Sequence, residues 1–132
     1  MLTHSLTRIH TAGCSIMLMF AAVLAMPLTA SAQGDAATGQ KIFTTCTGCH
    51  SIKPGENKIG PSLAGVFGRK SGTEPGYNYS SQMKAANVTW DEKTLDEYLQ
   101  GPAKFVRGTR MVYSVPNEKD RQDIIAFMKT LK

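Results

Sequence analysis

One pentapeptide, Cys46-Thr47-Gly48-Cys49-His50, constrains this chain more than any other feature. C-x-x-C-H is the attachment pattern for a c-type haem. Two thiols three positions apart fall on one face of a helical turn, where each can form a thioether with one haem vinyl group. The adjacent imidazole then sits over the iron. Two other chemistries use similar residues. A structural zinc site takes four Cys or His ligands, but no Cys or His follows residue 50. A thioredoxin-like redox pair needs a strand-helix-strand setting, whereas the flanks give a helical pattern over 35–43 and a Gly/Pro loop over 51–61.

The first 32 residues do not resemble the rest. Arg8 is the only fixed side-chain charge in residues 1–10, Ile16 to Leu28 is almost wholly apolar, and Ala30-Ser31-Ala32 supplies the small-x-small pattern of signal peptidase. The expected organisation is a signal peptide over 1–32, cut after Ala32, and one domain over 33–132. An uncleaved anchor over Thr11 to Ala32 is the alternative, since that span carries no charge. Pro27 and the cleavage pattern weigh against it. Cys14 precedes the apolar segment, where a lipoprotein cysteine would follow it, and is expected to leave with the leader. Cleavage would leave Cys46 and Cys49 as the only cysteines and His50 as the only histidine. Such sparing use of thiols suits an oxidising compartment. It would also leave 14 Lys and Arg against 10 acids, a formal charge of +4, which bears on partners and not on fold.

A domain of about one hundred residues buries only a modest core. A flat apolar macrocycle enlarges it, so the domain is expected to be poorly folded without haem, as small metal domains are without metal. The pattern is all-α. Asp35 is placed to cap a helix running to about Thr45, with Gly39 and Phe43 on one face. Thr89 or Asp91 can cap a second helix whose stripe is Leu95, Tyr98 and Leu99, and Gly101-Pro102 ends it. Asn117 caps a last helix, Asp120 imitates a capping box, and Ile124, Phe127, Met128 and Leu131 form its apolar stripe. Between these lie loops over 51–76 and 100–116, with a short helix over 81–86.

A haem bound by one histidine leaves its sixth position to be assigned. Met128 belongs to the last helix's stripe, where core packing accounts for it. Met83 has no turn chemistry to aim it. Met111, in Gly108-Thr109-Arg110-Met111, lies in a loop and fits no helical stripe, so the pattern favours it as ligand over gap-filling.

Taken together, Gly39-Gln40-Lys41-Ile42-Phe43, the haem motif, Gly60-Pro61-Ser62-Leu63, Gly68-Arg69-Lys70, Pro75-Gly76-Tyr77-Asn78-Tyr79, Thr89-Trp90-Asp91 and Gly108-Thr109-Arg110-Met111 resemble the class I c-type cytochromes. The likeness is to the bacterial soluble periplasmic type, close to mitochondrial cytochrome c. It implies an all-α cytochrome c fold in which N- and C-terminal helices cross and a small helical shell with loops surrounds one covalent haem c. It also implies metal ligation by His50 and Met111, with Cys46 and Cys49 carrying the thioethers. The Pro61 carbonyl would accept from the Nδ1–H of His50 and strengthen that ligand. Tyr79 and Trp90 would donate to a buried propionate, Arg69 would stabilise that charge, and Tyr98 would reach the sulfur of Met111. Gly39, Phe43 and Phe127 would join the terminal helices. Three positions depart from the family pattern. Arg107 replaces the usual proline before the Gly-Thr-Lys-Met segment, which would make Met111 easier to displace at high pH. Arg110 replaces lysine and keeps its charge. Met83 stands where an asparagine often joins an internal water network.

The implied function is one-electron transfer in the periplasm by a monomer that is not an enzyme. Lys41, Lys58, Lys70, Lys84, Lys104, Arg107 and Arg110 are candidates for a positive rim. That rim would steer the carrier to acidic faces of membrane-bound redox complexes. By resemblance these are a quinol-cytochrome c oxidoreductase as donor and cytochrome c oxidase, a photosynthetic reaction centre or a periplasmic enzyme as acceptor. A peroxidase would need Met111 to leave the iron, and a dedicated dehydrogenase subunit would be a binding module rather than a shuttle. Nucleic acid is not an expected partner despite the basic composition, because the one tryptophan and most tyrosines are committed to the pocket.

Overall fold

The computed structural model describes residues 33–132. The signal peptide expected over 1–32 lies outside the described residues. Five helices follow in order: α1 (Ala36–Phe43), α2 (Ser81–Ala85), α3 (Glu92–Gln100), α4 (Pro102–Phe105) and α5 (Glu118–Met128). Among the described residues there is no strand. A lone antiparallel bridge pairs Lys70 with Thr89, where Trp90 N–H donates to Arg69 O at 2.9 Å and Ser71 N–H to Val88 O at 2.7 Å.

The helices begin where the sequence supplies an acceptor for their orphan N–H groups. The side chains of Asp35, Ser80, Asp91 and Asn117 accept from Thr38, Met83, Thr94 and Asp120 respectively. The reciprocal capping box forms at Asp91 and Thr94, rather than at Asn117 and Asp120 as the residue types suggest. Gly101 ends α3 as expected, but the chain does not stay irregular. Pro102 occupies the first position of α4, where its missing N–H costs nothing.

The first and last helices of the described residues pack against each other. Phe43 of α1 and Phe127 of α5 meet edge to face with ring centroids 5.1 Å apart. Gly39 lets the backbones close, since a Cβ there would lie 1.9 Å from the carbonyl oxygen of Asp123. Ile124, Phe127 and Met128 are buried beneath this contact, and Leu131 packs on its margin. Arg121, 4% exposed, ties α5 to α3. Its Nε donates to Asp96 Oδ1 at 2.7 Å and its Nη1 to the carbonyls of Val115 and Pro116. The stripe reading does not foresee this residue, because a charge inside an apolar face registers as a defect. On α3, Leu95, Tyr98 and Leu99 are all buried. Tyr98 lies 5.0 Å from Trp90 and 6.0 Å from Phe105, centroid to centroid, so α4 adds an aromatic ring to this wall.

Candidate functional site

The turn that leaves α1 carries the two thiols. Cys46 N–H donates to Phe43 O at 2.8 Å, Cys49 N–H to Cys46 O at 3.1 Å, and His50 N–H to Cys46 O at 2.9 Å. This backbone winding keeps residues 46, 49 and 50 together on one tight turn. The cysteines are not joined to each other; Cys46 is half-buried and Cys49 exposed. Burial pushes the Cys46 thiol up, against a smaller opposing contribution from Thr45, so it remains protonated at neutral pH.

His50 is fixed from behind. Its Nδ1 lies 2.8 Å from the carbonyl oxygen of Pro61. A carbonyl can only accept, so Nδ1 carries the proton and Nε2 keeps its lone pair. Burial pushes the imidazole's pKa down, with the Pro61 carbonyl pulling the other way. The loop that supplies this carbonyl is pinned to the thiol turn by Gly60 N–H to Cys49 O at 2.8 Å and by Lys58 Nζ to Thr47 O at 3.0 Å. Gly60 itself is a cradle for the ring. A Cβ at that position would stand 2.4 Å from His50 Cε1 and 2.9 Å from Nε2.

Met111 is half-buried against the same core cluster as Cys46 and Tyr79. Its backbone N–H donates to Thr109 Oγ1 at 3.3 Å. The Tyr98 hydroxyl, expected on the Met111 sulfur, shares a hydrogen bond with Thr109 Oγ1 at 2.7 Å. Tyr98 therefore touches the methionine loop through Thr109. Either hydroxyl can be the donor of that pair, and a phenol that accepts from Thr109 keeps its own O–H for a second partner. Arg110 holds the other side of the loop by donating to Asn78 O at 2.8 Å.

The polar wall is the third part. Arg69 donates Nη1 to Ala64 O and Nη2 to Ser62 O, each at 2.8 Å, and pairs with Glu74. Its Nε–H is buried without any partner. Tyr79 stands close enough to feel the Arg69 charge: burial pushes its phenol up and the guanidinium opposes that shift. Trp90 is buried, and its indole N–H makes no hydrogen bond among the described residues. Donors left over beside an aromatic wall are what an anionic edge of a flat apolar ligand requires. With two free thiols, a tautomer-locked imidazole and a glycine cradle, the residues present fit a covalently held haem with its propionate near Arg69. Sequence patterns reach most of this set. They miss Glu74, a lone acid in a loop with no periodic signal, and the linking hydroxyl of Thr109.

The seven basic residues proposed as a rim are all exposed. So are several large apolar side chains, Ile59 at 77% and Val112 at 95% among them. No helix among the described residues is long and apolar enough to cross a membrane.

Comparison with known proteins is consistent across sequence and structure. A family model described as Cytochrome c matches residues 36–132. Cytochrome c of Euglena viridis is 50% identical over 101 residues, covering 75% of this chain and 99% of that relative. Cytochrome c2 of Rhodomicrobium vannielii is 43% identical over 114 residues, covering 85% of this chain and 91% of its own length. Among solved structures, cytochrome cH from Methylobacterium extorquens superposes with a TM-score of 0.69 at 42% identity, covering 74% of this chain and 99% of its own.

Proposed function

Since the chain belongs to the cytochrome c family, whose members are electron carriers rather than enzymes and hold haem c covalently through a Cys pair, we propose that it is a periplasmic shuttle with His50 and Met111 as axial ligands. The observation that carries the ligand assignment is the bond from His50 Nδ1 to the Pro61 carbonyl. It leaves Nε2 with a free lone pair on an imidazole carried by the same turn as both thiols. When bound, haem c supplies the one-electron ferric/ferrous couple. Cys46 and Cys49 would add their S–H groups across the two vinyl groups. Met111 would offer a soft neutral sulfur that favours the ferrous form. The packed rings of Trp90, Tyr98 and Phe105 would shield one side from water, and Arg69 with Tyr79 and Trp90 would satisfy the buried propionate. With His50 and Met111 both holding the iron, no place would remain for a substrate at the metal, and the protein's task would be to keep those two side chains still.

The remaining assignments belong to the same proposal. The mature chain would begin at Gln33 after removal of residues 1–32. The exposed Lys41, Lys58, Lys70, Lys84, Lys104, Arg107 and Arg110 would guide the carrier to acidic faces of a quinol-cytochrome c oxidoreductase and of an oxidase, reaction centre or periplasmic acceptor. Such contacts are small and short-lived, and their rates fall with added salt. An intact mass and an optical spectrum of the exported protein test the reading together. The expected result is the mass of residues 33–132 plus one haem, with a Met-to-iron charge-transfer band in the ferric state. A mass equal to the bare polypeptide, or a ferric spectrum without that band, would overturn the haem assignment or the Met111 assignment respectively.

A further inference from the structure

Glu74 is an acid where acids are rarely found. It is 8% exposed, in the loop between the Lys70 bridge and α2, and its only ionic partner among the described residues is Arg69. A carboxylate is kept at such a site only by a cation that compensates it. That cation is itself heavily committed. Nη1 and Nη2 of Arg69 are held by the carbonyls of Ala64 and Ser62 as well as by Glu74. Three of its five N–H groups are so used, and Nε is the one nitrogen of the guanidinium that is buried with no partner at all. The guanidinium is therefore a fixed cation whose buried Nε–H is unpaired, near enough to Tyr79 for that phenol to feel its charge.

We propose that Glu74 is a positioning residue for the redox centre: it locks Arg69 with Nε–H available to the haem propionate, and its negative charge lowers the reduction potential. This rests on the haem-carrier reading above. Two effects act in the same direction. A ferric centre carries one more positive charge than a ferrous one, so a fixed anion in a poorly solvated wall favours the ferric state. Glu74 also draws on the single charge of Arg69 that a propionate must share, leaving the propionate less neutralised and the ferric state again favoured. Arg69 and Glu74 thus form a three-body arrangement with the propionate in which the carboxylate sets how much cation is left over.

The test is potentiometric titration of the holoprotein at neutral pH. Glu74→Gln keeps an oxygen to accept from Arg69 but removes the charge. It is expected to shift the ferric/ferrous equilibrium about fivefold toward ferrous, a rise of about 40 mV at ~59 mV per decade for one electron. Glu74→Asp keeps the charge and is expected to stay within about twofold of wild type. A Gln variant that folds with covalent haem and an unchanged potential overturns the proposal, as does an Asp variant that shifts as far as Gln. A Gln variant that emerges without haem overturns it too, because Glu74 would then be needed for folding instead of tuning. Wild-type protein lacking covalent haem or a reversible couple would sink the carrier reading itself, and is read before any variant is made.

Discussion

Gly39 and Asp123 touch through their main chains: a methyl group on the Gly39 α carbon would fall 1.9 Å from the Asp123 carbonyl oxygen and 2.4 Å from its carbon. The obstacle is backbone of α5, which cannot swing aside as a side chain can. Gly39→Ala is expected to force the terminal helices apart and to cost about 3 kcal/mol. For a domain of this size that lowers Tm by more than about 10 °C. Thermal unfolding of the holoprotein checks this, and a Tm within a degree or two of wild type would contradict the close packing.

The side chain of the same Asp123 explains a pH dependence. Lys119 pairs with it and the Asp35 N–H donates to it at 2.6 Å, and these hold its carboxyl below the usual carboxylate range. A depressed folded-state pKa contributes stability that is present above the unfolded value of about 4 and is lost as pH falls through the folded value. Asp123→Asn is expected to cost about 2 kcal/mol at neutral pH, where a charged acceptor is replaced by a neutral one. The gap seen at neutral pH should narrow at an acidic pH below the unfolded value of about 4. Urea melts at both pH values measure it, and an equal gap at each would show that the charge is irrelevant.

Gly60→Ala places its new carbon 2.4 Å from His50 Cε1. The imidazole must turn, and the bond to Pro61 that sets its tautomer breaks with it. The expected outcome is a severalfold drop in covalently loaded protein when the variant is expressed with its haem-attachment machinery, read by haem staining against total protein. Wild-type loading would mean the ring has more room than the structure gives it.

Arg107 occupies the second position of a tight turn. Thr109 N–H closes onto Val106 O at 3.1 Å, and Gly108 stands at φ +86°. That is the type II pattern, in which proline is favoured just before the glycine. The Arg107 N–H is not used in any hydrogen bond among the described residues, so proline removes nothing. Arg107→Pro is expected to stabilise by about 0.5 kcal/mol by restricting the unfolded chain. The pH at which the Met-to-iron band disappears should rise. A midpoint that stays put would remove the link between this turn and retention of Met111.

Legibility in the sequence follows the range over which each feature is encoded. Asp35, Asp91 and Asn117 announce helix starts because a cap and its N–H groups lie within three residues. The cysteine-histidine turn is legible because a contiguous motif fixes it, whereas the Pro61 carbonyl is reached only through the family resemblance, since Gly60-Pro61 by itself reads as a turn. The four residues of α4 pass for loop, since one turn of helix leaves no periodicity to detect. Arg121 with Asp96, Arg69 with Glu74, and Tyr98 with Thr109 are pairings made by how loops close. Each residue type alone predicts only a solvated charge or an unspecified polar partner. Thr109 is the partner of Tyr98 that no pattern announces, because a hydroxyl in a loop carries no periodic signal.

The pairing of α1 with α5 has a temporal meaning as well. The cysteine turn follows directly on α1, whereas its partner helix comes only after α2, α3 and α4. Contacts so far apart in sequence are slow to close, so the segment that would carry the haem is expected to be accessible before α5 docks. A haem fastened there would give that helix an apolar face on which to settle.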